Sequence, residues 1–177
     1  MRTVDFHYID AAGAEQAEIV TLNGVTPVNT VATDIRFVQS IHSETVGSGG
    51  VAAGNISIYK TGAAATVYNL IKAGGNVSLN TARMVPVNKT LYISNITVSG
   101  TSGKPISVRL RITSTHEDTL TNGLFFQFKR TYFIQDSTVA EIISPPLKAP
   151  ALSIVKMTAY STTAGGDMAT TYNGWVE

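Results

Sequence analysis

The sequence predicts an all-β protein, a sandwich or a barrel, on three observations. Apolar and polar residues alternate with a period of two along most of the chain, as they do in half-buried strands. No window of a dozen residues holds the i, i+3, i+4, i+7 apolar spacing of a helix. The alternating runs are short, about ten in number, and Gly, Pro and Asn punctuate them, which suits stacked or closed sheets. Composition agrees. Of 177 residues 44% are hydrophobic and only 14% charged, with Thr, Ser and Gly making up the difference. Thr is β-branched, which favours strands, and its hydroxyl tolerates water.

The elements follow in order. Val4, Phe6 and Tyr8 alternate with Asp5 and His7; "AAGAEQ" (11–16) supplies a turn and "AEIVTL" (17–22) runs back, an N-terminal β-hairpin. "NGVTPVNT" (23–30) is a loop. From Thr33 a longer strand sets Ile35, Phe37, Gln39 and Ile41 on one face. "NISIYK" (55–60) reads as a strand, and "TVYNLI" (66–71) is short and ambiguous. "VSLNTARMV" (77–85) and "TLYISNITVS" (90–99) flank the turn "PVNK". In the second, the apolar phase slips between Ile93 and Ile96, which predicts a β-bulge. "ISVRLRI" (106–112) is the cleanest strand, with Ile106, Val108, Leu110 and Ile112 on one side and Ser107, Arg109 and Arg111 on the other. A polar loop (113–123) leads to the aromatic strand "LFFQFKRTYFI" (124–134) and to "STVAEII" (137–143). "SPPLKAP" (144–150) must be extended, since each proline lacks a donor and biases its predecessor away from helix. "LSIVKMTAY" (152–160) and "MATTYNGWV" (168–176) finish the chain as strands.

Charge and composition narrow the function. Thirteen basic and twelve acidic residues give a net charge of +1, so nothing steers the whole chain toward nucleic acid or anionic lipid. The absence of cysteine removes disulfides, thiolate nucleophiles and Cys-ligated zinc together. No apolar run approaches the roughly 18 residues of a membrane helix. Met1 leads straight into a strand pattern with no signal-peptide layout, and the expectation is either a chain that stays in the cytoplasm where it is made or one whose start has been trimmed.

The apparent motifs are weak. Gly47 to Ala52 satisfies G-x-G-x-x-G/A, but a dinucleotide cradle needs a helix N-terminus next, and a strand pattern follows. Gly49 to Gly54 has the Walker spacing, with Asn55 and Ile56 where Lys and Ser/Thr belong. Ser57–Lys60 matches S-x-x-K and Lys60–Gly62 matches K-T-G, yet one lysine would have to fill two roles, and on a strand. His116 with Glu117 and Asp118 is the one local group that could ligate a metal; a solvated loop is the plainer reading. His7 and His42 lie in predicted strands and could face inward, as an enzyme on a metal-dependent cupin scaffold would need, but neither belongs to an H-x-H pair. Four N-x-S/T sequons, at Asn55, Asn76, Asn88 and Asn95, are read as chance in a Ser/Thr-rich chain. The reading therefore assigns no catalytic residue, cofactor or metal. The candidate interaction surface is Arg109, Arg111 and Lys129, with Phe125 and Phe133 from the aromatic strand. A basic stripe of this kind meets an acidic protein surface or a sugar acid, or simply keeps a strand face soluble. Trp175, Tyr59, Tyr68, Tyr160 and Tyr172 are candidates for stacking on a sugar ring, with Trp175 expected as a core plug.

Several stretches together resemble virion structural proteins of tailed bacteriophages. They are "RTVDFHYIDAAGAEQAEIVTLNGVTPV" (2–28), "ATDIRFVQSIHSETVGSGGVAAGNISI" (32–58), "MVPVNKTLYIS" (84–94), "PPLKAPALSIVKMTA" (145–159) and "YNGWVE" (172–177). The resemblance spans nearly the whole chain, and its motifs are structural punctuation rather than chemistry. It implies a jelly-roll-like antiparallel β-sandwich on the outside of a phage particle, as a capsid decoration (cement) protein, head fibre or tail-associated piece. It carries no catalytic residues to transfer. The expected organisation is a hairpin arm at 1–30, a candidate for docking or subunit exchange, and a sandwich at 31–177. The expected partners are other virion proteins, the major capsid or tail protein, and further copies of the chain in a homotrimer, with neither nucleic acid nor membrane. The alternative is a receptor-binding tip that holds a host glycan.

Overall fold

The structure, a computed structural model, describes residues 2–64, 66–100, 103–113, 126–161 and 168–177. Regular structure among them is all strand, every pairing is antiparallel, and no helix is long and apolar enough to cross a membrane. The chain divides into two compact units, Met1–Asn80 and Thr81–Glu177.

In unit 1, β1 (Arg2–Asp10) is the central strand of the sheet β2-β1-β3, between β2 (Glu15–Leu22) and β3 (Ile35–Ser43). Gly13, at φ +88°, makes the turn of the expected hairpin, and Asp10 accepts from Ala14 N–H at 2.9 Å to close it. Val4, Phe6 and Tyr8 alternate into a core with Ile41, Ala52 and Ile71. The face expected of β3 is broken twice. The ladder to β1 shifts between His7 and Tyr8 and again between Ile9 and Asp10, so its register skips Gln39 and Arg36. Each extra residue shifts the facing, so Val38 packs on the core where Phe37 was expected, while Gln39 and Ile41 of the expected face are buried and Ile35 packs on the core. The glycine loop turns the chain: Gly50 N–H donates to Gly47 C=O at 2.9 Å. The strand β4 (Ile56–Tyr59) then pairs with β5 (Val67–Ile71).

The boundary expected after residue 30 therefore falls in the wrong place. The first hairpin is the middle and one edge of a sheet, and it supplies four of the buried apolar side chains of unit 1, Val4, Phe6, Tyr8 and Ile9.

Unit 2 is a two-layer sandwich. One sheet has the order β10-β7-β12, from β7 (Leu91–Gly100), β10 (Ser137–Ala149) and β12 (Met168–Val176). The other has the order β6-β11-β8-β9, from β6 (Arg83–Met84), β8 (Ile106–Thr113), β9 (Phe126–Ile134) and β11 (Ile154–Ser161). From β7 onward only the β8–β9 connection stays within one sheet; the others cross, as in jelly rolls. One core is shared: Ile93, Ile96 and Val98 of β7 pack with Val108, Leu110 and Ile112 of β8 and Val155 of β11. The strand expected at 77–85 shrinks to the two residues of β6, and "STVAEII" and "SPPLKAP" merge into β10.

The predicted bulge is present. Ser94 is skipped in both ladders, since both neighbouring strands pair with Asn95 and then Ile93. On β10 the ladder resumes only at Leu147, so Pro145 and Pro146 fall where no N–H is required. On β12 the break is at Gly174, where an added Cβ would stand 1.9 Å from Tyr92 O. Only glycine lets the two backbones approach so closely.

Candidate functional site

Strand alternation brings part of the predicted surface together on the outer face of the four-stranded sheet. With Val108 and Leu110 turned inward, Ser107, Arg109 and Arg111 point out. Cross-strand register then fixes their neighbours. Ser107 lies between Phe133 of β9 and Tyr160 of β11; Arg109 lies between Thr131 and Thr158; Arg111 has Lys156 on its β11 side. Phe133 is 80% exposed and Tyr160 67%, so the two rings rise on either side of Ser107, whose buried Oγ finds no hydrogen-bond partner among the described residues. Together with Pro105, Arg109 and Gln135 they line a groove of about 500 Å³.

The field of this face is positive. β8, β9 and β11 carry Arg109, Arg111, Lys129, Arg130 and Lys156 and no Asp or Glu. Burial lowers the Lys156 pKa, and the Arg111 charge beside it lowers it further. Lys129 stands apart. The β8–β9 register shift between Leu110 and Arg111 leaves it without a Cα partner, and its ammonium donates to Gln127 at 2.6 Å. Arg130 turns to β10, where its Nε donates to Glu141 at 3.1 Å. Phe125 and the His116–Glu117–Asp118 group lie outside the described residues.

Two aromatic expectations change. Trp175 is not a core plug: it is 48% exposed and stacks on Tyr92, centroids 5.2 Å apart and planes at 8°, with Lys148 Nζ 5.4 Å from the Tyr92 ring. Lys148, Tyr92 and Trp175 form one cross-strand row on the outer side of the other sheet. Tyr172 packs against the core instead, and its hydroxyl donates to Thr81 C=O at 3.3 Å.

In unit 1 the structure assembles a group in which the sequence singled out His7 and His42 but not Asp5. It sets both imidazoles on the side of the sheet away from the core rather than inward. Asp5 is the direct register partner of His42, and His7 follows Asp5 on the same side of β1, away from Phe6. Asp5 Oδ2 is 3.1 Å from His7 Nε2 and 3.0 Å from His42 Nε2, and the two imidazole centroids are 5.1 Å apart. Burial works to raise the Asp5 pKa, but the hydrogen bonds and charges of the two histidines prevail and hold it below the usual carboxylate value. The only signal in the sequence was D-x-H on a strand; the partner stands 35 residues further on, and only the β1–β3 register brings it close.

No protein-family model, no curated protein and no solved structure matches this chain.

Proposed function

We infer that the chain is a non-enzymatic virion structural protein of a tailed bacteriophage. In this reading it is a capsid decoration protein, assembled in the host cytoplasm, that works as a homotrimer and docks on an acidic patch of a major capsid or tail protein. The sequence resemblance along nearly the whole chain supports the virion assignment. The observation that carries the docking role is the outer face of β6-β11-β8-β9. Its four strands hold six basic residues and no carboxylate, Arg130 pairs with Glu141 of the other sheet, and Phe133 and Tyr160 stand exposed beside Arg109. Aromatic and Arg anchors of this kind concentrate binding energy in protein interfaces, while the positive field selects an acidic partner. Immunogold imaging of particles from the phage that encodes the chain tests the reading, together with a solution mass of the purified protein. Label on the particle surface and a mass three times that of the chain are expected. Particles without label, from a lysate in which the protein stays free, overturn it. The double variant Arg109→Glu/Arg111→Glu is expected to keep its strand spectrum and to lose the particle.

A second reading has its own support. Two exposed rings flanking a polar floor with an arginine suit one sugar ring bearing a carboxylate, which would make unit 2 the glycan-binding tip of a head or tail fibre. A glycan array rich in sugar acids separates the two: hits lost in Phe133→Ala favour the tip, and a blank array at high protein concentration removes it.

A further inference from the structure

We propose that Asp5, His7 and His42 bind a divalent transition metal of the zinc class, on the solvent side of the unit 1 sheet. The donor set is the first argument. Two imidazole nitrogens and one carboxylate oxygen favour zinc, nickel, copper or ferrous iron over calcium and magnesium, which prefer oxygen alone.

Geometry is the second argument. The three ligand atoms lie within 4.8 Å of one another, and the Asp5 oxygen is 3.0 and 3.1 Å from the imidazole nitrogens. Ligands bonded at 2.0–2.2 Å to one zinc ion stand roughly 3.0–3.6 Å apart at octahedral or tetrahedral angles, so both Asp–His spacings already suit a shared ion. The third argument is the carboxylate's company. Among the described residues its ion-pair partners are the two imidazoles, and no lysine or arginine takes its charge. Nearby positions across the strands hold Ile19, Ala17 and Ser40, none of which brings a cation to the cluster.

The scaffold adds a fourth. β1 is bonded on both sides, so the backbone under Asp5 and His7 is held in register before any ion arrives. The side chains keep 23–36% of their surface exposed, which leaves room for water or a partner's donor to complete the shell. The bound ion ties β1 to β3 in the regular stretch of their ladder, just ahead of its first bulge.

The test is a zinc titration of the full chain after chelator treatment, by calorimetry and by NMR of the histidine ring protons. One zinc per chain is expected, with micromolar or tighter affinity. The ring signals of two histidines shift and those of the third, His116, do not. His7→Ala and His42→Ala each weaken binding by at least about tenfold, and His116→Ala leaves it unchanged. Cobalt is expected to give a visible d–d spectrum that both cluster variants lose. The NMR reading uses the unaltered protein, so a variant that fails to fold does not blunt it. Absence of binding at about a hundred times a micromolar dissociation constant overturns the proposal. So does a zinc titration that shifts no histidine ring, or binding that survives in both cluster variants.

Discussion

Among the described residues, the core cluster of unit 2 holds fifteen buried apolar side chains between two sheets, whereas that of unit 1 holds six, with Ile9 buried outside it, around one three-stranded sheet and a hairpin. At about 25 cal/mol per Å² of buried apolar surface, a core of six leaves little margin over chain entropy. The comparison separates two jobs. Unit 2 has enough core to present exposed aromatics on its outer faces and still stay folded. Unit 1 relies on each of its few apolar residues and on cross-strand ties such as the His–Asp–His group. Local stability should therefore be uneven along the chain.

Deleting residues 1–30 tests this most severely. An independent docking arm would leave residues 31–177 folded. The structure requires a different outcome, because the deletion removes Val4, Phe6 and Tyr8 and, for backbone pairing among the described residues, leaves β3 only its short bridge to residues 76–78. Amide exchange should show β3 (Ile35–Ser43) unprotected while β7 and β8 keep their protection. Slow exchange sustained along the whole of β3 in the truncated chain would refute the account.

A pair of single substitutions sharpens it. Phe6→Ala and Leu110→Ala each empty a fully buried position and should cost about 3–5 and 2–5 kcal/mol respectively. The first is expected to unfold unit 1 at ambient temperature, the second to leave unit 2 folded at a lower urea midpoint. Equal effects on the two units would mean that core size does not set their margins. Gly174→Ala is expected to weaken unit 2 by about 2–3 kcal/mol through backbone crowding against Tyr92, read as loss of exchange protection along β12.

How much of this was legible in the sequence also divides at residue 80. In unit 2 the alternation of β8 runs without interruption, and the slip between Ile93 and Ile96 announces its bulge, so facing could be read off directly. In unit 1 β3 carries two bulges, and neither shows in an apolar pattern where Phe37 and Val38 are adjacent and both plausible inside. A period-two reading carried through them turned Phe37 inward in place of Val38. The candidate surface was half legible. Arg109 and Arg111 follow from alternation, but the pairing of Phe133 with Tyr160 across Ser107 needs the strand order β11-β8-β9, which no local pattern encodes. Trp175 was misjudged because ring size suggests burial, while its facing depends on the break at Gly174.

The smallest effect concerns the tie between the two layers of unit 2. Glu141 of β10 accepts from Tyr132 OH and from Arg130 Nε, both on β9. The Tyr132 hydrogen bond lowers the Glu141 pKa most, burial opposes it, and Arg130 adds to the lowering. Burial first, and then the bond to Glu141, raise the Tyr132 pKa, so the phenol remains a donor through neutral and mildly alkaline solution. A carboxylate whose folded pKa is depressed stabilises the fold above its ordinary value of 4.5, and that contribution fades as pH falls through the lower folded value. Side chains a third exposed weaken such pairs, so Glu141→Gln should cost about 1 kcal/mol at neutral pH. The difference between wild type and variant should shrink toward zero as the solution is acidified below the ordinary glutamate range. Tyr132→Phe should remove part of the same difference, and because the two share one bond their effects should not add. A gap between wild type and Glu141→Gln that stays constant from neutral to acid pH would show that the charge of Glu141 plays no part in holding the layers together.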